Sequence, residues 1–283
     1  MNSFVETMRM IKIEHSIFAL PFALLSAFMA VWGVPSLRTL LLVLGAMILA
    51  RSAAMAFNRF LDAEIDARNP RTAIRSIPAG RLSRRYALGF TLVCSLAFIG
   101  LAWLMNPLAF ALSPLFLAVL LGYSWTKRFT RFCHLVLGIA LGLSPLGAWI
   151  AVTGSFDWLP VLLGIAVMFW VAGFDIIYAC QDIDFDHREG LSSIPASLGI
   201  AASLGLARFL HLGMVAIIVW IGWHLEWGWL YWAGVGAVVL CLIYEHALVW
   251  GGRLERVDMA FFTMNGVVSL VYGAAAIGGI LLA

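Results

Sequence analysis

The fold class this sequence predicts is an all-α, polytopic membrane protein, and three observations predict it. The 283 residues are 63% hydrophobic and 12% charged, with mean hydropathy +0.97, far outside the range of soluble domains. Apolar runs long enough to cross about 30 Å of hydrocarbon as a helix recur along nearly the whole chain. The basic residues fall on alternate sides of those runs, as cytoplasmic loops require. No long polar stretch separates off a second unit, so residues 1–283 read as a single integral membrane domain.

Nine spans follow, at 16–34, 39–57, 86–104, 107–124, 134–152, 159–179, 201–221, 229–249 and 261–282. A polar, helix-like segment with Glu6, Arg9, Lys12 and Glu14 precedes the first span. That span lacks a convincing small-x-small cleavage site, so a cleaved signal peptide is not expected. Pro107, Pro145 and Pro160 are placed near helix starts or turns, where a missing N–H costs little. Pro21 and Pro114 fall inside spans and are expected to kink or break them. Cys94, Cys133, Cys180 and Cys241 are scattered without metal-ligand spacing and read as small buried hydrophobes. Trp223, Trp227, Trp229 and Trp232 straddle the loop between spans seven and eight and read as an interfacial belt. Trp170 and Phe174 are candidates to line an apolar tunnel.

With the amino terminus on the cytoplasmic side, the inner segments hold Arg9, Lys12, Arg59, Arg68, Arg71, Arg75, Arg81, Arg84, Arg85, Lys127, Arg128, Arg131, Arg188, Arg208, Arg253 and Arg256. Only Arg38 falls outside, and Arg51 lies within the second span. The expected arrangement is a multi-pass protein of the inner membrane with its carboxyl terminus outside. The net charge of +3 is then a topology signal and does not imply a nucleic-acid partner.

Seven of the fifteen acidic residues sit in two short stretches. The first is NRFLDAEID, where Asn58, Asp62 and Asp66 recur every four residues and share one side of a helix. The second is DIIYACQDIDFD, with Asp175 and Tyr178 ahead of Asp182 and Asp186, again four apart. Carboxylates held close together repel unless a cation neutralises them. Magnesium suits such a site, because it takes oxygen ligands from a few carboxylates together with phosphate and water. A lone acidic pair at a helix end is usually only a solvated cap. Two clusters at the same membrane edge, each with an Asn or Tyr on its face, weigh against that reading. Glu64 and Asp184 fall off the repeated face and read as solvated or supporting.

Basic partners are present. Lys127 and Arg128 close span four in GYSWTKR, beside Tyr123, and Arg71 and Arg75 follow the first cluster in NPRTAIRSIPAG. A diphosphate leaving group needs cations on one side and Lys or Arg donors on the other. Topology alone equally explains Lys127, Arg128 and Arg131. Arg51 lies seven residues before Asn58, on the same face and deeper in the membrane, where a charge must be paired or line a wet cavity. It is a candidate for the carboxylate of an aromatic acceptor or for diphosphate; a structural salt bridge is the plainer alternative. Among the histidines, His187 adjoins the second cluster and is a candidate for phosphate contact. His15, His134, His211, His224 and His246 read as interfacial or packed.

These motifs resemble those of the UbiA superfamily of intramembrane aromatic prenyltransferases. NRFLDAEIDARNPRT is similar to that family's first aspartate-rich motif, DIIYACQDIDFD to the second, and GYSWTKR to the basic stretch between them. The resemblance implies a nine-helix bundle around a central, lipid-accessible cavity. It implies that Asn58, Asp62, Asp66, Asp175, Asp182 and Asp186 bind two magnesium ions and a polyprenyl diphosphate. It places Lys127, Arg128 and Arg71 or Arg75 on the diphosphate, and Arg51 toward the acceptor. One departure concerns Arg75: where many members have an RP pair, this chain reads RSIP from Arg75 to Pro78.

The implied subfamily serves quinone biosynthesis. Its acceptors are aromatic carboxylic acids, chiefly 4-hydroxybenzoate; YACQD and HSIFALPFAL also resemble enzymes prenylating 1,4-dihydroxy-6-naphthoate for menaquinone. The expected chemistry is departure of diphosphate from an allylic chain, attack by the electron-rich ring, and loss of the ring proton to Asp182 or to released diphosphate. Asp62, Asp182 and Arg51 are the expected catalytic residues. An ion or solute transporter is the competing class, since intramembrane acids also carry ions.

Overall fold

The computed structural model describes residues 3–12 and 17–282; Glu14, His15 and the expected start of the first span at residue 16 lie outside the described residues. No strand occurs among them. An amphipathic helix α1 (Ser3–Ile11) precedes α2 (Leu20–Val31), α3 (Leu37–Arg68), α4 (Arg84–Met105), α5 (Pro107–Thr126), α6 (Cys133–Thr153) and α7 (Trp158–Ala179). A 3-10 turn (Cys180–Asp182) leads into α8 (Ile183–Glu189). Then come α9 (Ile194–His224), α10 (Trp229–Leu248), a π-helical turn (Met259–Met264) and α11 (Asn265–Leu282).

Eight helical stretches among the described residues are long and apolar enough to cross a membrane. The first expected span, 16–34, is the exception. Its helix α2 has only 12 residues, about 18 Å at 1.5 Å per residue. Pro21 starts it rather than kinking it, and left-handed Trp32 (φ 45°) stops it. Its side chains Phe22, Ala23 and Leu25 are buried, and it packs against α3, α6 and α11. From α3 to α11 the long helices pack in chain order, and α2 joins α11 back to α3.

Local chemistry sets the helix starts. Ser36, Ser83, Asn106, Asp157 and Ser193 each accept a backbone N–H with the side chain, capping α3, α4, α5, α7 and α9. Each cap is worth about 1 kcal/mol. Pro107 and Pro160 sit in first turns as expected, but Pro145 lies inside α6. Its carbonyl also accepts Ser26 Oγ at 2.6 Å, a polar tie between α6 and α2. Lipid supplies no hydrophobic drive for helix association, so close backbone approach matters more. A Cβ on Gly142 would lie 2.5 Å from the carbonyl oxygen of Gly164, and one on Gly138 would lie 2.5 Å from that of Met168. These glycines let α6 and α7 nearly touch. The main core gathers Phe22, Trp170, Tyr231 and Tyr272; Trp170 is fully buried there, and Phe174 lines the polar cleft described below. Trp223, Trp229 and Trp232 are exposed as a belt requires, whereas Trp227 is buried against Tyr231.

Two helix ends position the polar chemistry. Helix α3 has 32 residues, about 48 Å, so its last turns carry Asn58 to Asp66 past the apolar stretch. At the other end, α7 breaks after Ala179 into the 3-10 turn and α8, which stops at left-handed Gly190 (φ 64°).

Candidate active site

Asp62 is the best-held carboxylate. It is 2% exposed, and both its oxygens are taken by the end of α5: Lys127 Nζ donates to Oδ2 at 2.6 Å and Arg128 Nη2 to Oδ1 at 2.9 Å. Asn58 Nδ2 adds a bond to Asp62 Oδ2 at 3.1 Å. One turn on, Asp66 accepts Arg75 Nη1 at 2.7 Å. Its Oδ2 is buried without a hydrogen-bond partner, with Arg59 Nη1 at 3.8 Å. Arg59 itself is buried and donates to Asn58 Oδ1 at 3.3 Å.

The loop after α3 folds back on these acids. Asn69 Oδ1 accepts the backbone N–H of Arg71 at 3.0 Å, and Thr72 Oγ1 donates to the Asp66 carbonyl at 3.0 Å. Side-chain bonds of this kind build turns in place of helix. The turn sends Arg75 back to Asp66 and Arg71 across to the second cluster. Arg71 grips Asp182 with two parallel bonds, Nε to Oδ1 at 3.1 Å and Nη2 to Oδ2 at 2.5 Å, and donates to Tyr178 Oη at 3.0 Å. Arg68 pairs with Glu189 at 2.8 Å. The ends of α3 and α8 are therefore tied together twice.

Helix α1 braces the same loop from outside. Glu6 Oε2 accepts Ser76 Oγ at 2.8 Å and Arg81 Nε at 2.9 Å, and Oε1 accepts Arg9 Nη1 at 2.8 Å. Arg81, and then Ser76, hold the Glu6 carboxyl down to about 2 from its ordinary 4.5. In the second cluster Asp175 lies 2.7 Å from His134 Nδ1, and Asp186 accepts Ser193 Oγ at 2.7 Å.

Asn58, Asp62, Asp66, Asp175, Asp182 and Asp186 line one cleft with Arg51, Arg71, Arg75, Lys127, Tyr123 and Tyr178. Arg128 reaches Asp62 from behind. The lining holds six basic side chains (Lys12, Arg51, Arg59, Arg71, Arg75, Lys127) and five carboxylates. A second, mostly apolar cleft shares Arg51, Met55, Tyr123, Leu137 and Leu141 with the first.

The expected gathering of acids around shared cations is only half present. The clusters face one cleft, but among the described residues no three His, Cys, Asp or Glu side chains converge on a common point. Each carboxylate except Asp186 holds a basic partner instead, because unlike charges in a poorly screened cleft pair off. Asp175 shows the difference most: it lies 2.7 Å from His134 Nδ1 of α6. His187 bonds the Ala196 carbonyl at 2.7 Å rather than facing the cleft. Glu64 and Asp184 are exposed, and Glu64 pairs with Arg84 at 2.7 Å. All four cysteines are free. Sequence reasoning passed over Arg59, Asn69 and His134. Arg59 was legible as the neighbour of Asn58 on a helix entering the membrane edge; His134 carried no signal, since its partner lies on another helix.

The all-oxygen donor set and the bare Asp66 Oδ2 fit a hard divalent cation, and the basic half of the lining fits a polyanion. An all-helical membrane bundle with such a cleft at one end, opening onto an apolar one, defines a class: an enzyme that handles a charged head and a greasy tail together. The chain belongs to the UbiA prenyltransferase family, whose model matches residues 19–267. It is 30% identical over 240 residues to a 4-hydroxybenzoate octaprenyltransferase of Alkalilimnicola ehrlichii, covering 85% of this chain and 82% of the relative. Its fold matches the apo structure of a UbiA homolog from Aeropyrum pernix K1 with TM-score 0.87 and 36% identity, over 95% of this chain and 99% of that one. A UbiA homolog from Archaeoglobus fulgidus bound to DMAPP and Mg2+ shares the fold at TM-score 0.72 and 18% identity, over 97% and 99% of the two chains.

Proposed function

We propose that this protein transfers a polyprenyl group from polyprenyl diphosphate to a ring carbon of an aromatic carboxylic acid, 4-hydroxybenzoate, in quinone biosynthesis. The observation that carries this reading is the junction of the two clefts. Arg51, Met55, Tyr123, Leu137 and Leu141 line both, so a molecule can place an anionic head among Arg71, Arg75 and Lys127 and an isoprenoid tail among apolar side chains.

Asn58, Asp62, Asp66, Asp175, Asp182 and Asp186 would hold magnesium, two ions by the size of the ligand set. When bound, magnesium neutralises diphosphate and makes it a better leaving group. Lys127, Arg71 and Arg75 each end on a carboxylate that a phosphate oxygen can replace, and Arg128 supports Lys127 through Asp62. Arg51, at the junction, meets the acceptor carboxylate. The apolar wall excludes water, which would otherwise capture the allylic cation. The ring proton passes to Asp182 or to the departing diphosphate. The protein works as one domain, residues 1–283, of the cytoplasmic membrane, with α1 and both acidic clusters inside and the carboxyl terminus outside.

Purified protein in proteoliposomes should form a prenylated product, detected by mass, from an allylic diphosphate, magnesium and 4-hydroxybenzoate. Product only from 1,4-dihydroxy-6-naphthoate would move the acceptor assignment to menaquinone. No product from either acid, with ion flux across the vesicles, would replace the reading by transport.

A further inference from the structure

The π-helical turn Met259–Met264 has no role in the chemistry above, yet Phe261 on it lines the polar cleft. Turns of this kind are rare and concentrate at functional sites. The side chain of the next residue ties its carbonyls together. Asn265, fully buried, donates from Nδ2 to the carbonyls of Ala260 at 3.1 Å and Phe261 at 2.9 Å. Its Oδ1 accepts Trp170 Nε1 at 2.6 Å, and Trp170 is also fully buried. Both donors and the acceptor of the amide are thus engaged away from water, where an unmade bond is costly.

The turn aims Phe261 at the site. Its ring lies 4.2 Å from the Tyr178 ring at 30°, and 5.4 Å from that of Phe174. Tyr178 in turn accepts Arg71 Nη1, and the Arg71 guanidinium lies 5.3 Å over the Tyr178 ring. Stacking fixes the Tyr178 plane, and that plane fixes where the hydroxyl meets the guanidinium. The chain of contacts runs from Asn265 through Phe261 and Tyr178 to Arg71.

We propose that Asn265 is a positioning residue: it shapes the π turn so that Phe261 braces Tyr178 and Arg71 on the diphosphate side of the cleft. The inference rests on the prenyl-transfer reading. It differs from a general packing role because it predicts a directed effect.

The test compares Asn265→Leu, Phe261→Leu and the double variant, with Trp170→Phe as a change that leaves Asn265 in place and removes the indole donor together with part of its ring. Asn265→Leu and Phe261→Leu should each raise KM for geranyl diphosphate about fivefold and leave acceptor KM within about twofold. The double variant should be no worse than Phe261→Leu, since both act through one ring. Backbone amides of 260–266 should exchange hydrogen faster in Asn265→Leu and Trp170→Phe. Calorimetric affinity for magnesium diphosphate, which needs no turnover, should fall in the same variants. Additive losses, or equal loss for both substrates, would overturn the inference. If Asn265→Leu does not fold, Trp170→Phe decides by the same exchange and affinity measurements. Wild-type protein that binds magnesium diphosphate but prenylates no aromatic acid would sink the functional reading, and the positioning role would then stand or fall on affinity and exchange alone.

Discussion

The two acidic clusters share a spacing and differ in how they are held. The first rides on one unbroken helix: Asp62 and Asp66 are buried, and Lys127, Arg128, Arg75 and Arg59 surround them. The second straddles a helix break. Its Asp182 side chain is 19% exposed and the side chain of its charged partner Arg71 is 34% exposed. The comparison teaches that the first arm is a buried, multiply bonded anvil and the second a more exposed jaw held by fewer bonds.

Removal of the metal should have the largest effect. Chelation should abolish product formation and magnesium restore it; full turnover after chelation would mean that neither cluster works as proposed. Next, Asp62→Ala and Asp182→Ala should both reduce turnover by at least about 10³-fold, as loss of groups acting on the transition state does. Their stabilities should separate the arms. Asp62→Ala should cost about 2–4 kcal/mol, because a buried, multiply bonded ion is lost. Asp182→Ala should cost about 1 kcal/mol or less, because its pair is partly hydrated. Equal losses in chemical denaturation would erase the distinction between anvil and jaw.

Smaller effects sharpen it. Arg51→Ala should raise acceptor KM about tenfold while KM for the prenyl diphosphate moves little; parallel loss of both would remove its specific role. Ser193→Ala breaks both the bond to Asp186 and the cap of α9 and should cost about 1 kcal/mol, read as a lowered melting temperature. The smallest effect concerns Glu6. Its carboxyl is depressed to about 2 from 4.5, so the stability it adds is present above about pH 4.5 and fades as pH falls toward 2. Glu6→Gln should flatten that part of the stability profile and leave the profile above pH 5 parallel to wild type.

The helices, their order and the two acidic ends were legible because each is a local pattern: apolar length, a capping residue, a four-residue acidic repeat. The readings that changed all depend on neighbours distant in the chain. The first span became a 12-residue helix buried among α3, α6 and α11, because an apolar run reads alike whether lipid or protein surrounds it. Pro145 lies inside α6, and its carbonyl meets Ser26 of another helix. His134 and Asn265 look ordinary along the chain and acquire roles only from Asp175 and the π turn.

Composition and periodicity alone determined that this chain crosses a membrane repeatedly as helices and presents two oxygen-rich ends beside basic residues. Tertiary structure alone decided that those ends share one cleft, that each carboxylate carries its own partner, and that an apolar cleft opens from the same place. The reason is physical. Helix formation and membrane insertion depend on neighbours within a few residues, whereas pairing charges on different helices depends on how the helices pack, and no short stretch of sequence encodes that distance.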